Sequence, residues 1–353
     1  MLKCLSDDKV EVRRSAIQSL GRLGKGTQQE KEILEALRKF LDDPDPLTKL
    51  NAIVAEASIV TPDDSAIPTL LAAISNKDEA TAKAAGRVLT DIAIEKPDKV
   101  LPGLIEMLDK TEEPAVINTL KVLRLMKVAA VPAMPKISSL YDKADTQVRM
   151  EILYTLAGID PDGDKALPVL VKALKAPEPM VRKEALMGVM RYRSKADLFL
   201  APLSESLKEG DLENRLLGMS IVRGLGEQGL KALPTLEELT KDPNVRVRMA
   251  AISALTAFRP PPEEVLETLG RSIKDSDHVV RLTTANALRQ IGYVYPEKVT
   301  GMLQSALQEE KNEQTRRAMA SALAGISKAK SPKPVAPVAA PDPSQRLKPK
   351  YSR

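Results

Sequence analysis

The single histidine of the chain, His278, follows directly on Ser276 and Asp277, so the residue types of a nucleophile, an acid and a base stand side by side. Acyl transfer by such a set needs three groups that converge on one reacting atom in separate roles, and adjacency along the chain does not supply that. At the corresponding positions elsewhere stand Pro, Asn and Val, the composition of a turn between helices. One His and one Cys (Cys4) leave no disulfide framework and no Cys/His zinc site within a single chain. Gly24 to Thr27 read "GKGT", a fragment of a phosphate loop, but the full G-x-x-x-x-G-K-[ST] is missing and no strand leads into it. Gly24 there fits the end of a helix. No catalytic, cofactor-binding or metal-ligating residue is expected.

The guanidinium groups are more regular. Arg149, Arg182, Arg215, Arg248 and Arg281 recur every 33 residues, each within the pattern apolar, Arg, two residues, small, three residues, Leu. The register runs on to Arg316 and back through Val116, Ala82, roughly Thr48, and Arg13. The Arg itself is lost at the three middle positions. A second series, Pro68, Pro102, Pro135, Pro168, Pro202 and Pro234, steps in parallel. Proline is tolerated in the first helical turn, where its missing N–H would have no partner, so each is expected to start the first helix of a pair. Between the two series lie short polar turns such as "DDPDPL" and "TKDPNVRV", whose Asp and Asn residues cap the helix that follows. After each anchor, as in "VRMAAISALTAF", apolar side chains fall at spacings of three and four, the mark of an amphipathic helix.

The unit is therefore helix, tight turn, helix. Its apolar stripe cannot be buried alone, so neighbours must stack into one continuous core. Composition agrees, with 3% aromatic residues, no Trp, and abundant Leu and Ala suited to close helix packing. We expect an all-α, right-handed α-solenoid of about ten helical pairs over residues 1–326, behaving as one cooperative array, and a Pro/Lys-rich disordered tail over 327–353.

The strings "LPVLVKALKAPEPMVRKEAL" and "LPTLEELTKDPNVRVRMAAISAL" resemble HEAT repeats, and among them the short bacterial variety found in phycobilisome-lyase-like proteins. The resemblance covers nearly all of 1–326. It implies that Pro168, Arg182 and Asp242 or Asp275 are structural signatures, and that the arginines Arg149, Arg182, Arg215, Arg248, Arg281 and Arg316 form a ladder with acidic residues of adjacent turns. It also implies a protein-binding scaffold or adaptor, with a phycobilin-lyase-like subunit acting on a chromophore protein as the alternative. Relatives with a two-iron centre use several His-Glu pairs, which a chain with one His lacks. Relatives that excise damaged bases need a basic, aromatic face.

Charge argues against nucleic acid as well. The net charge is +5, yet the tail alone carries a net of +6, from seven Lys and Arg against Asp342, which leaves the array near neutral. Phosphate neutralisation and base stacking both lack material there. The basic tail is expected to be a solubilising end or linker, or else a tether to an acidic partner, nucleic acid or a membrane surface. No run approaches the roughly 18–20 apolar residues of a membrane span, and a cytoplasmic location is expected. Residues 1–24 hold the end of a first helix and one full second helix, with most of the covering helix missing; the chain is expected to be a fragment of a longer protein, to have its true start upstream, where a signal peptide could lie, or to dock on something through that open end.

The second helices are expected to line the concave face with their fifth and ninth positions after the anchor. The fifth are Gln18, Ile53, Arg87, Lys121, Tyr154, Met187, Ser220, Ser253, Asn286 and Ser321; the ninth include Arg22, Leu125, Gly158, Arg191 and Gln290. With the residue after each anchor, Met150 and Leu216 join this face. Lys121, Met150, Tyr154, Met187, Arg191 and Leu216 form the candidate protein-binding set, since Met adapts to varied surfaces and Tyr and Arg are frequent interface anchors. The competing reading makes the Met and Leu ordinary core. The anchorless units, Thr48 to Val116, are where specificity is expected to have replaced the ladder. Deleting residues 327–353 should leave the thermal melting point unchanged; a fall of several degrees would show that the tail packs on the array.

Overall fold

The computed structural model describes residues 1–328 apart from Lys77 and Thr111; the tail expected from residue 327 lies outside the described residues except for its first two positions. Every regular element among the described residues is helical. A short 3-10 turn (Leu2–Ser6) precedes α1 (Val10–Gly24). Nine pairs follow: α2 (Glu30–Arg38) and α3 (Pro46–Ala57), α4 (Ile67–Ala73) and α5 (Glu79–Glu95), α6 (Pro97–Met107) and α7 (Glu113–Met126), α8 (Met134–Leu140) and α9 (Thr146–Ile159), α10 (Ala166–Ala173) and α11 (Pro179–Val189), α12 (Ala196–Glu209) and α13 (Leu212–Gly224), α14 (Leu233–Leu239) and α15 (Val245–Leu255), α16 (Glu263–Ser272) and α17 (His278–Ile291), α18 (Pro296–Glu309) and α19 (Glu313–Lys328).

Two compact units divide the chain, Met1–Ile221 and Val222 onward. In the first, α1, α3, α5, α7, α9 and α11 pack each against the next, and α4 packs on α6 and α10 on α12. In the second, α15 packs on α17 and α17 on α19. Each second helix buries a stripe: on α9, Val148, Ile152, Leu156 and Ile159 are buried at steps of four, four and three, the helical period. Close approach matters where α1 meets α3, since a Cβ on Gly21 would stand 2.6 Å from the Ala55 Cα.

The turns set where second helices begin. Asp45 accepts the Thr48 N–H (2.8 Å), Asp78 the Thr81 N–H (2.8 Å), Asp145 the Val148 N–H (2.9 Å) and Asn244 the Arg246 N–H (2.9 Å). These are N-caps that satisfy an otherwise unpaired donor of the first turn. The proline series behaves less uniformly than its spacing suggests. Pro68, Pro135 and Pro234 are second in α4, α8 and α14, and Pro168 is third in α10. Pro102 and Pro202, however, lie inside α6 and α12. Those helices start a turn or more earlier, at Pro97 and Ala196, so an interior proline leaves one early carbonyl without its helical donor.

The anchor arginines tie turn to turn. Arg182, Arg248 and Arg281 each donate from Nη1 to two carbonyls of their own turn: Ala176 and Pro177, Asp242 and Pro243, and Asp275 and Ser276, at 2.7–3.2 Å. The same guanidiniums reach a carboxylate one repeat on, Arg182 to Asp211 (2.6 Å), Arg248 to Asp275 (2.9 Å twice) and Arg281 to Glu310 (2.6 and 2.8 Å). Arg149 takes the carbonyls of Tyr141 and Asp142 and approaches Glu178 at 3.4 Å. Asp275 serves two rungs at once, with its carboxylate on Arg248 and its carbonyl on Arg281. Arg215 donates to the Leu207 carbonyl at 2.5 Å. Arg316 is exposed and has no such partner among the described residues.

At the start of the chain the rung is shared by two neighbours. Arg13 holds the Asp7 and Asp8 carbonyls (2.9 and 3.1 Å), while Arg14 reaches Asp45 at 2.7 Å. The Thr48 hydroxyl also donates to Asp45, and these hydrogen bonds hold the Asp45 carboxyl down to about 2. Where the anchor is Val116, Asn118 on α7 donates instead to the Ile74 carbonyl (2.9 Å).

Glu310 shows what a rung contributes. Its side chain is 1% exposed, and the Arg281 hydrogen bonds, with the Asn312 N–H, hold its carboxyl down to about 2 against an ordinary 4.5. A carboxyl depressed in the folded state contributes stability that is present above the unfolded value and lost as pH falls through the folded one. Glu310→Gln should therefore cost about 2–3 kcal/mol at neutral pH and flatten the stability loss between about pH 5 and about pH 2. Urea unfolding followed by circular dichroism across that range measures both, and parallel wild-type and variant curves would contradict it.

Candidate protein-binding face

Helical phase decides which side chains remain outside the stacked core. Gln18, Arg87, Lys121, Tyr154, Met187, Ser220 and Asn286 are exposed, as their fifth position implies. Ile53 is not: it is 1% exposed. The anchor at Thr48 is offset because α3 begins directly after the Asp45 cap, so Asn51 and Val54 face the groove that Ile53 was expected to line.

In the first unit, α7, α9 and α11 open a groove of about 700 Å³. It brings together Lys121 from α7, Met150 and Tyr154 from α9, Met187 from α11, and Arg191 just beyond α11. Leu216 is half-buried on α13 and does not line it. Tyr154 and Met187 are each 49% exposed, and Leu125 nearby on α7 is 52% exposed. Three successive repeats thus present a Tyr, three Met (Met190 being the third) and two cations on one surface.

One residue that spacing did not reveal shapes this surface. The Arg124 guanidinium lies 4.2 Å above the Tyr154 ring, a cation–π contact that restrains the ring. Its Nε is also 3.5 Å from Glu151, a groove residue. Gly158 makes room for this, because a Cβ there would stand 2.9 Å from the Arg124 Cγ. Beside Glu151 stands Glu184, whose carboxyl is raised above its ordinary value by burial and by the neighbouring Glu151 charge, with Lys183 acting in opposition. The groove therefore has apolar and aromatic contacts, a pair of acids on its wall and cations at Lys121 and Arg191.

Two further grooves use the equivalent positions. One of about 670 Å³ on α1, α3 and α5 is lined by Gln18, Arg22, Asn51 and Arg87, with the Gln18 amide donating to Asn51 at 3.3 Å. Another, of about 450 Å³, lies in the second unit beside Ser253, Asn286 and Gln290.

The residues with catalytic side-chain types serve the frame. Asp277 caps α17 by accepting the Val279 N–H (2.7 Å), and the Ser276 and His278 carbonyls accept from Arg281 and Thr315. No hydrogen bond joins the Ser276, Asp277 and His278 side chains among the described residues. At "GKGT", the Gly26 N–H donates to the Glu30 carboxylate at 2.5 Å, so an acid occupies the amide that a phosphate would need. Among the described residues, no cluster of three or more His, Cys, Asp or Glu could hold a metal ion. No described helix is long and apolar enough to cross a membrane.

An all-helical stack of paired helices with stitched turns defines a helical-repeat solenoid. The profile of the HEAT repeats matches residues 1–65, 34–124, 134–218, 213–289 and 236–324, and the chain belongs to that family. Among solved structures, the chain is similar to the karyopherin Kap121p bound to the extreme C-terminus of the protein phosphatase Cdc14p (TM-score 0.67, 14% identity), covering 92% of this chain and 41% of that one. Kap121p bound to Pho4p is similar too (0.65, 14%, 92% and 41%). So is importin beta in an ammonium sulfate condition (0.57, 13%, 92% and 51%). The chain thus spans about two fifths to one half of these proteins. No curated protein matches it in sequence.

Proposed function

We propose that the protein is a non-catalytic scaffold or adaptor that holds a protein partner in the groove of α7, α9 and α11. One observation carries this reading: Lys121, Met150, Tyr154, Met187 and Arg191, from three consecutive repeats, line a single open groove. Half-exposed Tyr and Met side chains on a surface that packing does not require are the material of an interface core, and flanking cations set orientation. Kap121p, which shares the fold, is bound to Cdc14p and to Pho4p in two solved structures, and protein capture by such an array supports the same reading here.

The finer likeness to phycobilisome-lyase-like repeats belongs with the alternative, a lyase-type subunit that holds a chromophore protein. Both readings place a protein on this surface, and they differ in what is captured. The triple variant Tyr154→Ala, Met187→Ala, Arg191→Ala should lose the proteins that the wild-type chain retains from its native extract, with an unchanged melting temperature. Mass spectrometry of the lost set separates the two, since a lyase subunit should recover a chromophore-bearing protein. Retention of the same set by the variant would refute the groove.

A further inference from the structure

We propose that the groove of the second unit binds a phosphate dianion, presented by a phosphorylated side chain or as the free ion, through Arg223 and Arg259. This site is built from other residues than the groove at Tyr154 and does not rest on that reading.

The anchor arginines Arg182, Arg248 and Arg281 each face a carboxylate. Arg223 and Arg259 line one groove of about 450 Å³ into which no Asp or Glu projects. Arg223 is exposed and makes no hydrogen bond or ion pair among the described residues. Arg259 donates from Nη1 to the Thr256 and Phe258 carbonyls (2.6 and 3.0 Å). Those two bonds fix the guanidinium against the end of α15 and leave Nε and Nη2 without partners. Holding a cation before the ligand arrives reduces the entropy lost on binding.

The neutral groups around them are donors as well. Asn286 and Gln290 line the same groove, and their amides make no hydrogen bond among the described residues. The hydroxyls of Ser253 and Thr283 donate to carbonyls of their own helices, Met249 at 2.9 Å and Val279 at 2.8 Å. What the groove offers a ligand is therefore two guanidiniums and two amides with no opposing acid. In the ladder, one guanidinium is matched by one carboxylate. Two free guanidiniums match a group with two charges and several acceptor oxygens, which is a phosphate monoester or inorganic phosphate. Nucleic acid fits less well, since no aromatic side chain lines the groove for base stacking.

The test uses the full chain at physiological salt, titrated with inorganic phosphate and with a short phosphoserine peptide, by calorimetry and phosphorus NMR. Both probes should bind the wild type. Arg223→Ala, an exposed position, should weaken binding roughly tenfold or more with an unchanged melting curve. Arg223→Ala with Arg259→Ala should abolish it. Affinity should fall between about pH 7.5 and about pH 5.5, as the phosphate becomes a monoanion. Tighter binding of the peptide than of the free ion assigns the source to a phosphorylated protein, and equal binding assigns it to the ion. Equal affinity of Arg223→Ala and wild type, or equal displacement by chloride and phosphate, overturns the proposal. So does a single-stranded oligonucleotide that binds more tightly than the peptide with the same dependence on Arg223.

Discussion

A pair of short helices carries an apolar stripe on each member and has no second layer against which to bury them. Everything else in this protein follows from that deficit. The stripe of α9 is covered by α7 and α11, the second helices on either side, together with the first helices α8 and α10. Stacking alone would leave the relative height of successive pairs loosely defined, because aliphatic contacts are non-directional. The guanidinium bridges supply direction. Arg248 and Arg281 each hold the carbonyls of one turn and the acid of the next, and Asp275 takes part in both rungs. Register passes from pair to pair through atoms whose geometry tolerates little slip.

A frame secured on its buried side and at its turns leaves the remaining face of the second helices free of packing demands. That freedom is visible in how differently the same positions are filled. On α1, α3 and α5 they carry Gln18, Asn51, Arg22 and Arg87. On α7, α9 and α11 they carry Tyr154, Met150 and Met187. On α15 and α17 they are hydroxyls and amides beside two unpaired guanidiniums. Three surfaces of unlike chemistry stand on one repeated scaffold. Shape and charge can change from repeat to repeat without touching Leu120, Ile152 or Leu153 beneath.

Much of the frame could be read along the chain, and the departures are instructive. The interval of 33 residues between anchors located second helices, yet an anchor residue does not locate every side chain around it. At Thr48 the capping Asp45 sets where α3 starts, and Ile53 turns inward. Pro102 and Pro202 kept the proline interval but not the helix start, because Pro97 and the residues before Ala196 begin those helices earlier. Arg13 kept the anchor position while its neighbour Arg14 took the carboxylate. At Thr48 a cap moved the phase by a residue, and at Pro102 and Pro202 the helix start moved by a turn or more; periodicity alone is blind to shifts of that size.

By itself the sequence determined the repeat, the helical class and the near-neutral charge of the array, because these depend on composition and on spacings within one unit. Only the tertiary structure decided which outward positions meet. Arg124 and Tyr154 are thirty residues apart and no local pattern pairs them; the stacking of α7 on α9, with Gly158 leaving space between, puts the cation over the ring. Arg223 and Arg259 likewise share a groove through packing alone. Contacts between repeats depend on distances across the stack, and those are properties of the packed core rather than of any stretch of chain.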